Sequence, residues 1–295
     1  MNILLLGKDG QVGRELQRTL LPFGDVAALN RHQADLGHLD ELERLLHRLK
    51  PDLIVNAAAY TAVDKAESDR DAAFRINRDA VAVLAGWAAR HEALLVHYST
   101  DYVFDGEKTE AYLETDPTHP LSVYGLSKRA GEEAIISSGG QALIFRTSWV
   151  FSSHGSNFIK TILRLAREKN HLNIVADQFG APTSAELIAD VTALAVAAYR
   201  AGRLAGGIYH LTASGETHWH HLACHTVDRA LANGIPLPLE TSAIRPIGTE
   251  DYPLPAKRPK NSRLNTALLS STLGLQLPDW TVHVNRAVDQ LTLSG

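Results

Sequence analysis

The sequence predicts an α/β protein built on a doubly wound parallel sheet, and three observations carry that expectation. The apolar run Asn2–Leu6 leads straight into Gly7-Lys8-Asp9-Gly10-Gln11-Val12-Gly13, which is followed by apolar residues at helical spacing. Short apolar strands then alternate with amphipathic helices as far as residue 150. Beyond it come helices, turn-rich loops and a proline-rich stretch, which read as a smaller C-terminal α/β substrate-binding domain. The expected division is 1–150 for a Rossmann-like dinucleotide-binding part, with some later segments returning to it, and 151–295 mainly for substrate.

Asn2–Leu6 reads as a buried strand, and Val12, Leu16, Leu20 and Leu21 keep helical spacing up to Pro22. A glycine turn between such elements allows a tight reversal, close backbone approach to a pyrophosphate and a helix N-terminus aimed at the anion. Gly7, Gly10, Gln11, Val12 and Gly13 are therefore cofactor-binding candidates. Their spacing is G-x-x-G-x-x-G, one residue longer between the first two glycines than the common dinucleotide fingerprint. Asp25–Leu29 reads as the second strand and ends in Asn30-Arg31. An acidic residue there would hold a ribose 2′-hydroxyl; an amide and a guanidinium tolerate a 2′-phosphate, which favours NADPH with NADH also accepted. Asp35 and Leu36 follow, where an adenine edge would be read.

The helix expected over Leu39–Leu49 buries Leu42, Leu45, Leu46 and Leu49 and stops before Pro51. Asp52–Asn56 is the third strand and runs into Ala57-Ala58-Ala59-Tyr60, small residues that let a flat ligand approach the backbone. A polar loop, Thr61–Glu67, holds Val63 and Asp64. Ala72, Ile76, Ala80, Val83, Leu84 and Trp87 mark one long helix that carries Asn77. Leu94–Tyr98 is a buried strand that delivers Ser99 and Thr100 to its carboxyl end, where open parallel sheets bind ligands.

The next helix, expected from near Leu121, places Tyr124 and Lys128 one turn apart on one face. A phenol with an ordinary pKa near ~10 is a weak acid at neutral pH, and a neighbouring ammonium favours the phenolate. Tyr124 is thus read as a proton donor, Lys128 as its tuner, and the Thr100 hydroxyl as the group that holds the receiving oxygen. Ala142–Phe145 is a further strand, followed by Arg146-Thr147-Ser148-Trp149. Helices are expected at about Asn157–Glu168 and Ser184–Ala201, with a turn-rich loop, Asp177–Thr183, between them and a strand at Gly207–Leu211. Lys257-Arg258-Pro259-Lys260-Asn261-Ser262-Arg263 sets four cations in seven residues, candidates to grip a diphosphate. His218, His220, His221 and His225 cluster with Cys224 but show no H-E-x-x-H or paired C-x-x-C pattern, so they read as a histidine-rich helix surface.

Composition narrows the class. The apolar fraction of 45% supports a sizeable core, and a net charge of −4 argues against nucleic acid or an anionic membrane as partner. The single cysteine excludes an internal disulfide and fits a cytoplasmic protein. The opening apolar run is too short for a signal peptide, and no stretch reaches the ~20 apolar residues of a membrane span.

With the glycine turn, the Thr100/Tyr124/Lys128 group and the cationic segment in hand, the chain resembles the extended short-chain dehydrogenase/reductase superfamily. The likeness covers essentially the whole chain and includes Asn56–Ala59, Ser99–Phe104, Arg146–Trp149, Asp177–Thr183 and Arg258–Asn265. The resemblance implies hydride transfer from NADPH, or NADH, to the C4 ketone of dTDP-4-dehydro-L-rhamnose, the last step of dTDP-L-rhamnose synthesis. It implies that Lys128 also holds the nicotinamide ribose and that Asp101 and Val63 lie at the sugar, with Trp149 packed on it. Asn157, Arg258 and Arg263 would meet the nucleotide diphosphate. Some relatives form homodimers around Mg2+ held by glutamates; Glu15 and Glu186 stand at two of those positions, with Gln290 at the third and Asp289 beside it. Related epimerases and dehydratases, the latter with an Asp-Glu pair after the threonine where this chain has Asp101-Tyr102, and a regulatory dinucleotide-binding subunit are the alternatives on the same scaffold.

Overall fold

A computed structural model describes residues 1–293. The first half alternates strand and helix: β1 (Asn2–Leu6), α1 (Gln11–Thr19), β2 (Asp25–Leu29), α2 (Leu39–Leu49), β3 (Leu53–Asn56), α3 (Val63–Ala66), α4 (Arg70–Phe74), α5 (Ala80–Arg90), β4 (Leu94–Thr100), α6 (Val123–Ser137) and β5 (Ala142–Thr147). The second half adds β6 (Val150–Phe151), α7 (Phe158–Glu168), β7 (Leu172–Val175), β8 (Phe179–Gly180), β9 (Thr183–Ser184), α8 (Ala185–Arg200) and β10 (Gly207–His210). It ends with β11 (Thr217–His218), α9 (Trp219–Ala232), β12 (Ile244–Ile247), α10 (Ala267–Leu273) and α11 (Trp280–Leu293).

Six strands form one parallel sheet in the order β10-β5-β4-β3-β1-β2. Their side chains alternate between two cores, as a period of two requires. Ile3, Leu5, Leu53, Val55, Val96 and Phe145 face α1 and α8 through Leu16 and Ile188. Leu4, Leu6, Ile54, Leu95 and Ile144 face α2, α5 and α6 through Leu46, Leu84 and Ile135. Burial on both faces explains why these strands read as unbroken apolar runs. The strand order reverses at β1/β3, so the connections that follow these paired strands leave toward opposite faces, to α1 on one and α5 on the other, and flank a crevice with the Gly7–Gly13 turn on one side and Ala57–Tyr60 on the other.

Later segments return to this sheet. β10 pairs with β5, and α8 shares a core with α1. That core continues through Ile159 of α7 to Val284 of α11, so residue 150 divides the sequence but not the hydrophobic interior. The remaining strands form the short pairs β11-β8, β12-β7 and β6-β9, with a satellite core of Ile162, Val227 and Ile244 beneath β12. Two of these pairs draw strands, β8 and β9, from the segment expected to be a plain loop.

Other expectations change as well. The single helix expected from Ala72 to Trp87 is broken by a π turn, Arg75–Asp79, between α4 and α5. Such turns re-aim a side chain at a functional site. Here the turn buries Asn77, whose amide accepts from Tyr60 N–H at 2.9 Å and donates to Tyr60 O at 3.0 Å and Ser127 Oγ at 2.9 Å. The Thr61–Glu67 loop contains the one-turn helix α3. Helix α6 starts at Val123 rather than near Leu121, because the Ser122 hydroxyl accepts the Gly125 N–H at 3.2 Å and caps it.

Helix α6 is locked to the sheet by an ion pair. Arg146 of β5 donates from Nε and Nη2 to the two Glu132 oxygens at 2.9 and 2.6 Å, with both side chains at most 4% exposed. Truncating Glu132 leaves the buried guanidinium without a counter-ion and with only a long 3.4 Å bond to the Glu114 carbonyl, so Glu132→Ala is expected to cost about 3–5 kcal/mol in urea unfolding. Glu133→Ala, which breaks only an exposed pair with Arg129, should cost less than about 1 kcal/mol. Equal losses would show that Arg146 finds another partner.

Candidate active site

Gly7 lies at φ +83°, and a Cβ on Gly13 would stand 2.0 Å from the Gly7 carbonyl oxygen, so only glycine lets α1 start against the turn. Gly10 is the N-cap, no side chain caps the helix, and its first turn holds no acidic residue. The leading N–H groups of Gln11, Val12 and Gly13 thus lack a side-chain acceptor at the crevice, the arrangement that receives phosphate. The Gln11 side chain turns to the second half of the chain, where its Oε1 accepts from Asn157 Nδ2 at 2.9 Å and Ser152 Oγ at 3.3 Å. At the end of β2, Asn30 donates to Asp9 at 2.9 Å and Arg31 Nε lies 3.3 Å from Asp35. The Gly37 N–H and the Arg31 guanidinium hold the Asp35 carboxyl below its usual range. Arg31 is 79% exposed and can turn toward a ligand, whereas Leu36 is a core residue beside α2. Ala57, Ala58, Ala59 and Tyr60 line the opposite side of the crevice at the carboxyl end of β3.

β4 and α6 assemble the reactive group. A Cβ on Gly125 would stand 2.2 Å from the Tyr102 carbonyl oxygen, so glycine lets the start of α6 close on the end of β4. Thr100 Oγ1 donates to Asp101 Oδ1 at 3.0 Å and accepts the Tyr102 N–H at 3.2 Å. The Tyr102 ring meets Tyr124 edge-on at 5.7 Å. Burial pushes the Tyr124 phenol up to about 12, with the Thr100 hydroxyl opposing and the Asp101 carboxylate adding to the rise. Burial likewise raises Asp101 to about 6 and lowers Lys128 to about 8. Desolvation is the largest influence on the Tyr124 phenol, and Lys128 Nζ is turned to β4, donating to Tyr98 O at 2.6 Å beside His97 Nε2 at 3.2 Å.

Across the cleft, Trp149 sits at φ +49°, a conformation costly for a bulky residue. Its ring stacks on Trp219 at 3.6 Å, and Trp219 Nε1 donates to Gln178 Oε1 at 3.1 Å. Arg258 grips Asp64, next to Val63, with Nη1 and Nη2 at 3.0 and 2.8 Å. Arg263 instead pairs with Glu216 at 2.8 Å, and Lys260 with Asp177 at 3.4 Å. Asn157 caps α7, accepting the Lys160 N–H at 3.1 Å, and so links that helix to Gln11. Trp219 and His97 escaped the sequence reading, and Asn56 and Gln178 entered it only within the segments Asn56–Ala59 and Asp177–Thr183, without a role of their own. Only His97 carried a signal, as a lone imidazole in the apolar run of β4.

No trio of metal-ligating side chains comes together among the described residues. Each histidine of the cluster has a local partner: His218 caps α9, His220 meets Ile244 O, His221 meets Thr217 and His225 meets Asn285. Glu186 is paired with Arg286 at 2.8 Å and Asp289 with Arg229, and Gln290 brings no charge, so Glu15 and Glu186 do not complete a Mg2+ ligand set within this chain.

A family profile described as the RmlD substrate binding domain matches residues 1–293. The dTDP-4-dehydrorhamnose reductase of Burkholderia thailandensis is 51% identical, with 99% of each chain covered. This chain belongs to the dTDP-4-dehydrorhamnose reductase family. A family structure from Clostridium acetobutylicum superposes with a TM-score of 0.90 at 34% identity, covering 99% of each chain. The Bacillus anthracis reductase in complex with NADP gives 0.86 at 30% identity, again over 99% of each chain. The crevice at the β1/β3 switch and the Thr100/Tyr124/Lys128 group share one edge of the sheet. If Arg31 meets a 2′-phosphate, Arg31→Ala should weaken NADPH binding about tenfold and leave NADH within about twofold. An equal loss for both, read by fluorescence titration, would place Arg31 outside the cofactor site.

Proposed function

We infer that this protein reduces the C4 ketone of dTDP-4-dehydro-L-rhamnose to dTDP-L-rhamnose with NADPH, and also accepts NADH. The observation that carries the reading is the pairing of an uncapped helix N-terminus at a glycine turn with a Thr100/Tyr124/Lys128 group in which Thr100 and Lys128 are buried and Tyr124 is partly buried, in a chain 51% identical to such a reductase. The residues fit the dinucleotide: the first N–H groups of α1 lack a side-chain acceptor, and the glycine turn leaves the backbone bare. The N–H groups of Gln11, Val12 and Gly13 would hold the pyrophosphate beside Gly7 and Gly10, Asn30 and Arg31 the 2′-phosphate, and Asp35, with the backbone of Leu36, the adenine end. Ala57–Tyr60 and Asn77 would frame the nicotinamide half, with Lys128 on its ribose.

The bound nicotinamide supplies the hydride. The chain supplies the proton and the geometry. Tyr124, whose phenol is fully protonated at neutral pH when pushed up to about 12, donates to the ketone oxygen as negative charge gathers there. The Thr100 hydroxyl, turned from Asp101, donates a second hydrogen bond to that oxygen. Trp149 on its Trp219 support, with Val63 and Asp101, positions the sugar. Asn157, Arg258 and Arg263 serve the diphosphate, exchanging their carboxylate or amide partners for it. The reading includes a cytoplasmic homodimer, without a membrane or nucleic acid partner; no described helix is long and apolar enough to cross a membrane.

The test is NADPH oxidation, followed by absorbance, with the sugar nucleotide generated in place. Tyr124→Phe removes the proton and little volume, so turnover should fall by about 100-fold or more while the NADPH Kd stays within about threefold. NADPH that binds but is not oxidised by the wild type would refute the reductase reading.

A further inference from the structure

We propose that Asn56 and His97 favour the neutral amine of Lys128 in the free protein, so that at alkaline pH dinucleotide binding takes up one proton at Lys128 Nζ. The proposal rests on the reading of this crevice as a dinucleotide site. His97 is buried in β4 between two partners, with Nδ1 3.2 Å from Asn56 Nδ2 and Nε2 3.2 Å from Lys128 Nζ. The Asn56 amide has one orientation available, because its Oδ1 accepts the Ala58 N–H at 3.2 Å. Its Nδ2 therefore donates to His97 Nδ1, which must be the acceptor nitrogen. A neutral imidazole with Nδ1 as acceptor carries its proton on Nε2. That proton points at Lys128. An ammonium has three donors and no lone pair, so Nε2–H and an ammonium would face each other as two donors; an amine offers the lone pair that Nε2–H needs and still donates to Tyr98 O.

The surroundings agree. Glu132, one turn along α6, is neutralised by Arg146 of β5, so it is a weak counter-ion for Lys128. Tyr98 of β4 offers only its carbonyl, since its hydroxyl bonds Thr192 of α8. Tyr124 is a neutral phenol, and the π turn presents the uncharged amide of Asn77 to Ser127. Asp101 sits on the far side of Thr100, where its charge acts on Tyr124 rather than on Lys128. Burial thus lowers Lys128 to about 8, and burial with Lys128 nearby keeps His97 from accepting the proton instead. Ribose hydroxyls arriving at Nζ add acceptors that favour the ammonium. The proton comes from solvent and bonds to the amine lone pair, the hydrogen bond from His97 Nε2–H to that lone pair is given up in exchange for those to the ribose, and His97 stays neutral. Ala58, on the cofactor side, and Lys128, on the catalytic side, are joined through this one chain of hydrogen bonds.

Because the complex then carries one proton more than the free protein, affinity must fall as pH rises above about 8. Calorimetric titration of the full-length protein with NADPH, in buffers of different ionisation enthalpy, reads the proton count directly. The wild type should take up close to one proton at pH 9 and about a tenth of one at pH 7; the 2′-phosphate titrates near ~6 and contributes little across this window. Asn56→Asp presents an oxygen to Nδ1, moves the ring proton there and leaves Nε2 to accept from an ammonium. His97→Gln lets an amide oxygen face the ammonium. Uptake at pH 9 should drop about fivefold or more in both. Binding without proton uptake in the wild type at pH 9, or wild-type uptake in either variant, overturns the proposal and leaves the reductase reading standing. A wild type that does not bind NADPH overturns the dinucleotide reading itself.

Discussion

A parallel sheet buried on both faces leaves only its strand ends where polar side chains can meet a ligand. In this chain the alternation of Ile3, Leu5, Val55 and Val96 against Leu4, Leu6, Ile54 and Leu95 closes both faces with helices. All the chemistry is thereby driven to one edge. Asn56, Thr100 and Thr147 lie at the ends of adjacent strands, and the reversal at β1/β3 opens the crevice beside them. The glycine turn adds bare N–H groups at that edge, and Gly125 lets α6 close on it from the side.

Desolvation then sets the electrostatics. Tyr124, Lys128 and Asp101 are all shifted by burial toward their neutral forms. Such a site presents hydrogen-bond donors and acceptors to an incoming ligand without a strong field of its own. Charge enters with the cofactor and with the developing oxyanion, where fixed dipoles in a dry site count most. Among the described residues the one deeply buried ion pair, Arg146–Glu132, anchors α6 to the sheet at the cost of desolvating both partners.

The substrate side depends on contacts between distant segments. Arg258 reaches Asp64, Asn261 bonds the carbonyls of Lys108 and Glu110, and the Arg263 and Tyr112 backbones pair, so the cationic loop is sewn to the rim of the cleft. Paired cations are pre-placed and can exchange a carboxylate for a diphosphate with little reordering of side chains. Trp149 gains rigidity in a similar way, through its stack on Trp219 and the Gln178 bond behind it.

The sequence by itself determined the sheet, the order of strand and helix, the glycine turn and the Tyr124–Lys128 spacing, because each is a local or periodic pattern that records which face is buried. It also marked Arg31, Trp149 and Arg258 by residue type. What it did not contain was the partner each polar group would find. The π turn that aims Asn77 at Tyr60, the turn of Lys128 toward His97, the seat of Trp149 on Trp219 and which of the later segments, β10 and α8, return to the first half were decided by tertiary packing. Hydrophobic periodicity specifies that a side chain is inside. Only the assembled interior specifies what it must bond to once water is gone.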